Sequence, residues 1–152
     1  MSTLLQCDVV LQVYNLLSPD STLKAIQGLT ITVVRPRGNM SFTTSGPGNQ
    51  WIVIRKERCG PAQWTSGAQI LHEIEYVTMD ILCRATADAK TDAKSLLEVL
   101  RKRIKELMFS ATFLGTGWLY HKEVTDRFPS PPIPTHANNV LGYEVHTTQG
   151  MV

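Results

Sequence analysis

Residues 93–108 carry the most regular hydrophobic pattern in the chain. Apolar side chains recur there every three or four residues, at Ala93, Leu96, Leu97, Leu100, Ile104, Leu107 and Met108. This spacing predicts an α-helix with one apolar side, and Lys102 forms i,i+4 pairs with Glu98 and Glu106 on the other side. Such a helix, roughly 25 Å long, has to bury its apolar side against a second layer.

The second layer is predicted to be a β-sheet. Residues 70–85 alternate, with Val77, Met79, Ile81, Cys83 and Ala85 on one face and Tyr76, Thr78, Asp80 and Arg84 on the other. A period of two predicts a long strand with one face on the core. Shorter strands are predicted over 29–35, 51–54, 118–126 and 140–147. We expect Trp118, Tyr120 and Val124 to share one face, and Leu141, Tyr143 and Val145 to share another.

Two helical segments are predicted near the start of the chain. Apolar residues at helical spacing predict a helix over 3–17, with Ser2 or Thr3 as its cap, and Pro19 ends it. A short helical turn over 22–27 follows, capped by Asp20 or Ser21 and closed by Gly28.

Three segments are too rich in glycine and proline for regular structure. Residues 35–50 are predicted to form a long loop or a loose hairpin, and residues 57–67 a turn-rich connection. Residues 128–139 contain four prolines and are predicted to form an extended arm. Long irregular segments in a small protein usually serve binding.

Together these elements predict the α+β class. We expect a single domain over residues 1–152, with a mixed or antiparallel sheet of four to five strands and two main helices packed on one face. A small sheet also leaves edge strands, which pair readily with another copy of the chain.

Composition excludes several classes of function. Apolar residues make up 43% and the formal net charge is only +2, which is typical of a globular protein and indicates no strongly basic surface. No apolar stretch is long enough to predict a membrane span, and residues 1–8 lack the basic region of a secretory signal. Three widely spaced cysteines indicate free thiols, not disulfides or a zinc site.

Motifs for catalysis or metal binding are weak. The four histidines lie in separate segments without metal-ligand spacing, so we predict no metal and no cofactor. Glu73 and Glu75 share a strand face, and a solvated strand end explains them. The densest basic cluster is Arg101, Lys102, Arg103 and Lys105, and the nearby Glu98 and Glu106 favour an ordinary solvated helix face.

Two parts of the chain resemble the tail-terminator proteins of tailed bacteriophages. Residues 18–28, SPDSTLKAIQG, followed by a strand and by Trp51-Ile52-Val53-Ile54, resemble the opening of that family. A strand over 74–85, a polar turn and the helix over 93–108 resemble its centre. The resemblance covers most of the chain and is one of pattern, without a diagnostic motif.

This resemblance implies a non-enzymatic subunit of a hexameric ring in the virion neck. The ring would cap the tail tube and meet the head-side connector or stopper protein, with DNA passing through its lumen, and it would be assembled in the host cytoplasm. A sheath protein is a further candidate partner. By region, the residues implied at interfaces are Arg35, Arg37, Asn39, Phe42, Phe128, Pro131 and Pro132, and the candidate DNA-facing residues are Arg101, Lys102 and Lys105.

Two alternatives stay open from the sequence. The first is another head-completion or neck protein, which shares small size and ring assembly. The second is a small cytoplasmic hydrolase or nucleotide-binding enzyme that uses Cys59, His121 and Asp126. The two classes of protein have different requirements. A ring subunit requires surfaces that contact other subunits, whereas an enzyme requires these three side chains to lie close together.

Overall fold

The computed structural model describes residues 8–26, 28–34, 50–59, 63–64, 70–84, 92–113, 117–130 and 136–150. Within these ranges the elements are α1 (Val9–Leu17), α2 (Ser21–Lys24), β1 (Leu29–Val34), β2 (Gln50–Cys59), β3 (Gln63–Trp64), β4 (Ile70–Arg84), α3 (Ala93–Ser110), β5 (Trp118–Arg127) and β6 (His136–Gly150). The predicted order is confirmed, with α2 as the short helical turn and β3 as an addition.

The strands form one mixed sheet in the order β1-β2-β4-β6-β5, and β3 pairs with β4 beside this path. Only the β1–β2 pairing is parallel among the described strands, with Leu29 opposite Gln50 and Val34 opposite Arg55. A parallel pair requires a crossover connection. β1 and β2 therefore do not form a hairpin with each other, and residues 35–49, for which a long loop or a loose hairpin was predicted, lie outside the described part of the chain.

The hydrophobic core lies between one face of the sheet and the helices α1 and α3. Of the predicted inward residues of β4 and β6, Ala85 lies outside the described residues and the others are all in the core: Val77, Met79, Ile81, Cys83, Leu141, Tyr143 and Val145. The apolar side of α3 packs on them through Leu96, Leu97, Leu100, Ile104 and Met108. Helices on one face of a mixed sheet confirm the predicted α+β class.

An aspartate caps each of the three helices in the described ranges. The side chain of Asp8 accepts the N–H of Leu11, that of Asp20 accepts the N–H of Leu23, and that of Asp92 accepts the N–H of Ser95. Asp8 has an extended backbone, so α1 begins at Val9 and the prediction of a helix from residue 3 is wrong. Ser2 and Thr3 lie outside the described residues.

Several strand boundaries differ from the prediction. β2 continues to Cys59 and β3 covers Gln63–Trp64, both within the predicted turn-rich connection. β6 begins at His136, because the prolines that exclude a central strand end at residue 134. Of the predicted Pro-rich arm, residues 128–130 have no regular structure and residues 131–135 lie outside the described part.

The predicted shared face of Trp118, Tyr120 and Val124 is wrong. Trp118 is buried, whereas Tyr120 and Val124 are exposed. The β5–β6 pairing is irregular between Trp118 and Tyr120 and again between Glu123 and Thr125. Each irregularity changes which side of the sheet the following residues occupy, so a simple period of two does not hold along this strand.

Candidate functional site

β5 is an edge strand with an apolar, solvent-exposed surface. It pairs with β6 on one side, and no other described strand pairs with it. Of its residues only Trp118 is buried. Leu119 is 52% exposed, and Tyr120, Val124 and the following Phe128 are exposed to a similar degree. We call these four residues the β5 patch. A strand edge of this kind offers both backbone hydrogen bonds and apolar area to another chain.

An open groove of about 770 Å³ is lined by the C-terminal end of α3 and by the first half of β5. Phe113 and Trp118 stack in its wall with ring centroids 4.0 Å apart, and Phe109 stands on its rim with 94% of its surface exposed. Most of the surface exposed in the groove is apolar, and its four charged lining residues, Lys105, Glu106, Lys122 and Glu123, are each engaged in an ion pair. An apolar surface of this kind favours contact with a protein surface.

His121 fixes β5 against the end of α3. The indole Nε1–H of Trp118 donates to His121 Nδ1 at 2.9 Å. His121 Nε2 therefore carries the ring proton and donates it to the carbonyl oxygen of Met108 at 2.6 Å. Both ring nitrogens of this histidine, a catalytic candidate in the enzyme hypothesis, are occupied in positioning the strand.

The basic cluster of α3 is largely neutralised within the molecule. Arg101 and Lys105 both form ion pairs with Asp126 on β5, and Asn139 Nδ2 donates to the same carboxylate at 2.9 Å. These contacts, that of Arg101 foremost, hold the pKa of Asp126 well below its usual range. Lys102 is exposed and forms no ion pair with any residue in the described ranges.

The residues of the enzyme hypothesis are not brought together. Cys59 lies on β2, opposite Glu75 of β4, and His121 lies on β5, opposite Val145 of β6. Glu75 and Val145 pair with each other, so two strands separate the backbones of Cys59 and His121. At about 4.8 Å per strand this is roughly 14 Å. Among the described residues no group of three or more His, Cys, Asp or Glu side chains is placed to hold a metal ion.

Glu75 differs from its sequence-based interpretation as a solvated strand end. Its side chain is buried within the first half of β4 and pairs with Lys56 Nζ at 3.2 Å. Burial raises the pKa of this carboxyl group, and the ion pair with Lys56 only partly opposes that effect. Glu75 is a buried ion-pair partner in the described structure.

The polar face predicted for β4 takes part in a network across the sheet that the sequence did not predict. Ion pairs and hydrogen bonds connect four strands there, Arg55 with Asp80, Tyr76 and Lys122 with Glu144, and His72 with His146. The polar residues at every second position of β4 were the available signal, but the sequence does not reveal their partners on β2, β5 and β6.

Most of the interface residues expected from the resemblance cannot be placed. Arg35, Arg37, Asn39, Phe42, Pro131 and Pro132 lie outside the described residues. Phe128 is described and exposed, with the Arg101 guanidinium 5.5 Å from its ring centroid. It follows β5 directly and therefore extends the β5 patch.

No described helix has the length and apolar character needed to cross a membrane. The β5 patch and the groove beside it are the main candidate site of the described chain.

The fold has a counterpart among solved structures, although sequence comparison finds none. No protein-family model and no curated protein sequence matches the chain. A chain from the virion of the native gene transfer agent (GTA) particle has a similar fold, with a TM-score of 0.58 at 10% sequence identity. The match covers 93% of this chain and 98% of that chain. At this identity the likeness establishes a shared fold.

Proposed function

We propose that this protein is a structural subunit of a phage-like virion, and specifically a tail-terminator protein. In this role it forms a ring, a hexamer, that caps the tail tube and joins it to the head-side connector or stopper protein. The observation that carries the proposal is the fold shared, over nearly the full length of both chains, with a component of a virion particle. The independent resemblance in the sequence supports the finer role.

The β5 patch supports ring assembly. The described sheet ends in two different strands, β1 and β5. A contact between the β5 edge of one subunit and a different surface of the next subunit is heterologous. Heterologous contacts that close produce rings. We assign the β5 patch to the subunit contact, because Leu119, Tyr120, Val124 and Phe128 would otherwise leave apolar area in water.

The partners follow from the position in the neck. The loop with Arg35, Arg37, Asn39 and Phe42, and Pro131 and Pro132 of the arm, are assigned to the tail tube, the connector and, in a contractile tail, the sheath protein. DNA passes through the lumen without sequence-specific contacts. Of the candidate DNA-facing residues, Lys102 best fits that role, because Asp126 neutralises much of the charge of Arg101 and Lys105.

The absence of catalysis in the proposed role agrees with the geometry. His121 is occupied by Trp118 and Met108, and Asp126 is held by Arg101, Lys105 and Asn139. A nucleophile and base for hydrolysis would need to lie within hydrogen-bonding distance, which the strand order does not allow for Cys59 and His121.

A matched pair of leucine substitutions tests the proposal. Leu119→Lys places a charge in the β5 patch, whereas Leu11→Lys places the same charge on α1 at a position that is 40% exposed. We expect both variants to fold. In particles whose own copy of the gene is deleted, we expect Leu11→Lys to restore head–tail joining and Leu119→Lys to fail, with the ring lost in light scattering and electron microscopy.

Normal rings and normal joining with Leu119→Lys would contradict the assigned contact. Deletion of the gene, without any replacement, tests the tail-terminator role, because tail tubes that lack a terminator have no defined length. Tails of normal length beside unjoined, DNA-leaking heads would instead identify a head-completion protein. Particles that are complete without the gene product would overturn the structural role altogether.

A further inference from the structure

The outer side of α3 carries four exposed residues in a straight row. Val99, Lys102, Glu106 and Phe109 follow one another at steps of three, four and three residues, opposite the buried side formed by Leu97, Leu100, Ile104 and Met108. Val99 is 48% exposed and Phe109 is 94% exposed. We call this row the α3 ridge.

The α3 ridge has a palindromic order about Ile104. Lys102 and Glu106 lie two residues on either side of Ile104, and Val99 and Phe109 lie five residues on either side. When two copies of a helix pack antiparallel around a two-fold axis at this level, each residue faces its counterpart of the other copy. Lys102 then meets Glu106 twice, and Val99 meets Phe109 twice.

We propose that the α3 ridge binds the α3 ridge of a second copy of this chain in an antiparallel, two-fold arrangement. Charge complementarity identifies the occupant, since a surface with this order is complementary to itself. Lys102 has no ion-pair partner among the residues that the structure describes. Glu106 is 49% exposed and has only the neighbouring Arg103 as an ion-pair partner in those ranges.

Val99 and Phe109, at the two ends of the ridge, are expected to contribute most of the binding free energy. Lys102 and Glu106, between them, determine the register of the two helices. Exposed ion pairs contribute little free energy, whereas the Phe109 ring is almost fully in water and gains most from burial. The contact area of one helix row is small, so the dimer is expected to be weak and to require high protein concentration. The contact is isologous and does not use the four residues of the β5 patch, although Glu106 and Phe109 line the same groove as Leu119 and Tyr120. It engages Lys102, so it belongs to subunits outside the finished neck, where no DNA faces that residue.

Charge reversal in the full-length chain tests both the surface and the register. Lys102→Glu and Glu106→Lys each create like charges at both pairs and should abolish the concentration-dependent dimer seen in sedimentation velocity. An equimolar mixture of the two variants restores opposite charges at both pairs, so a heterodimer should form. Lys94→Glu makes the same charge change at an exposed position of α3 outside the ridge and should leave the dimer intact.

Circular dichroism and thermal unfolding confirm that each variant is folded before it is analysed. Phe109→Ser should also weaken the dimer, because it removes the largest apolar contact. The proposal is wrong if the native chain stays monomeric at every concentration, if either reversal leaves the dimer unchanged, or if the mixture does not associate. If the ring forms with Lys102→Glu, with Glu106→Lys and with Phe109→Ser, and the native chain forms no separate dimer, the ridge pairing is wrong. The proposed neck function would be unaffected by that result.

Discussion

Arg103 in the middle of α3 donates two hydrogen bonds to Asp20, the residue that caps α2. Its Nε lies 3.0 Å from Oδ2 and its Nη2 lies 2.6 Å from Oδ1. The same carboxylate accepts the backbone N–H of Leu23 at 3.1 Å. The hydrogen bonds from Arg103 foremost lower the pKa of Asp20, against the opposing effect of burial. One carboxylate therefore both starts a short helix and attaches it to the long one.

Replacing Asp20 by alanine should destabilise the protein more than the loss of an ordinary cap. Loss of the cap alone costs about 0.5–2 kcal/mol, and Asp20→Ala also leaves Arg103 without its α2 partner. Asp92→Ala is the matched control, because Asp92 caps α3 from an exposed position. Urea unfolding should show the larger loss for Asp20→Ala, and equal losses would contradict the linking role.

Stability should fall in acid, and Asp126 should account for part of the loss. Its folded-state pKa lies below the unfolded value of about 3.9. Its contribution is therefore complete above that value and is lost as the pH falls through the folded-state pKa. Glu75 acts in the opposite sense, because its folded-state pKa is raised. A variant changed only at Asp126 retains Glu75, so the effect of Glu75 is the same in that variant and in the native chain.

The test compares the native chain with Asp126→Asn, which removes the titrating group and keeps a similar shape. Below about pH 5, the unfolding free energy of the native chain should fall more steeply than that of the variant. The two should differ most near neutral pH, where the native ion pairs are intact. Parallel curves would show that Asp126 does not contribute to the acid sensitivity.

Gly142 should not tolerate a larger side chain. A Cβ atom at this position would lie 2.9 Å from the Cβ of Thr125, its neighbour across the β5–β6 pairing. Overpacking of this kind costs about 1–3 kcal/mol, so Gly142→Ala should lower the unfolding temperature. Adding Thr125→Gly removes the opposing Cβ. The double variant should then be less destabilised than the sum of the two single variants in a thermal double-mutant cycle.

Leu100 should be essential to the core. It is fully buried on the inner side of α3, and Leu100→Ala should cost about 2–5 kcal/mol in denaturant unfolding. Leu100→Asp should unfold the chain, because the charge would be buried without a partner. Leu11→Ala deletes the same atoms from a partly exposed helix position and should cost less than about 1 kcal/mol. Similar costs at both sites would contradict the assigned core.

The connection between β1 and β2 should be replaceable but not removable. The parallel register brings Gln50 beside Leu29, so the chain has to travel back about 17 Å from the end of β1. Gln50 is also buried and exchanges two hydrogen bonds with the backbone of Arg84. Deleting residues 35–50 should therefore prevent folding. Replacing residues 36–48 with a glycine–serine linker of the same length should preserve thermal stability and, in the proposed role, abolish tail joining.

Local sequence patterns were sufficient to predict the helices and strands. They could not predict which strands pair, because the paired residues are distant in the sequence. The helical spacing of Leu96, Leu100 and Ile104 and the alternation of Val77 and Met79 each depend on neighbouring residues, so α3, β4 and the face they bury were predictable. The parallel register of β1 with β2 depends on strand order, which no local signal contains.

The candidate site shows the same division. An exposed edge strand was expected in general, but its identity as β5 follows from the insertion of β6 between β4 and β5. The neutralisation of Arg101 and Lys105 by Asp126 joins α3 to β5 and could not be read from the helix sequence. The β5 irregularities that turn Tyr120 and Val124 outward also lack a clear signal such as glycine within the strand.

The central position of β6 has a consequence for biosynthesis. β4 pairs with β6 along its whole length, from Ile70 opposite Gly150 to Arg84 opposite His136. During translation β4 leaves the ribosome long before the strand that completes it, and α3 and β5 emerge in between. The nascent chain must hold an open edge of β4 until residue 150 is available, so a subunit becomes competent for assembly only after β6 has left the ribosome.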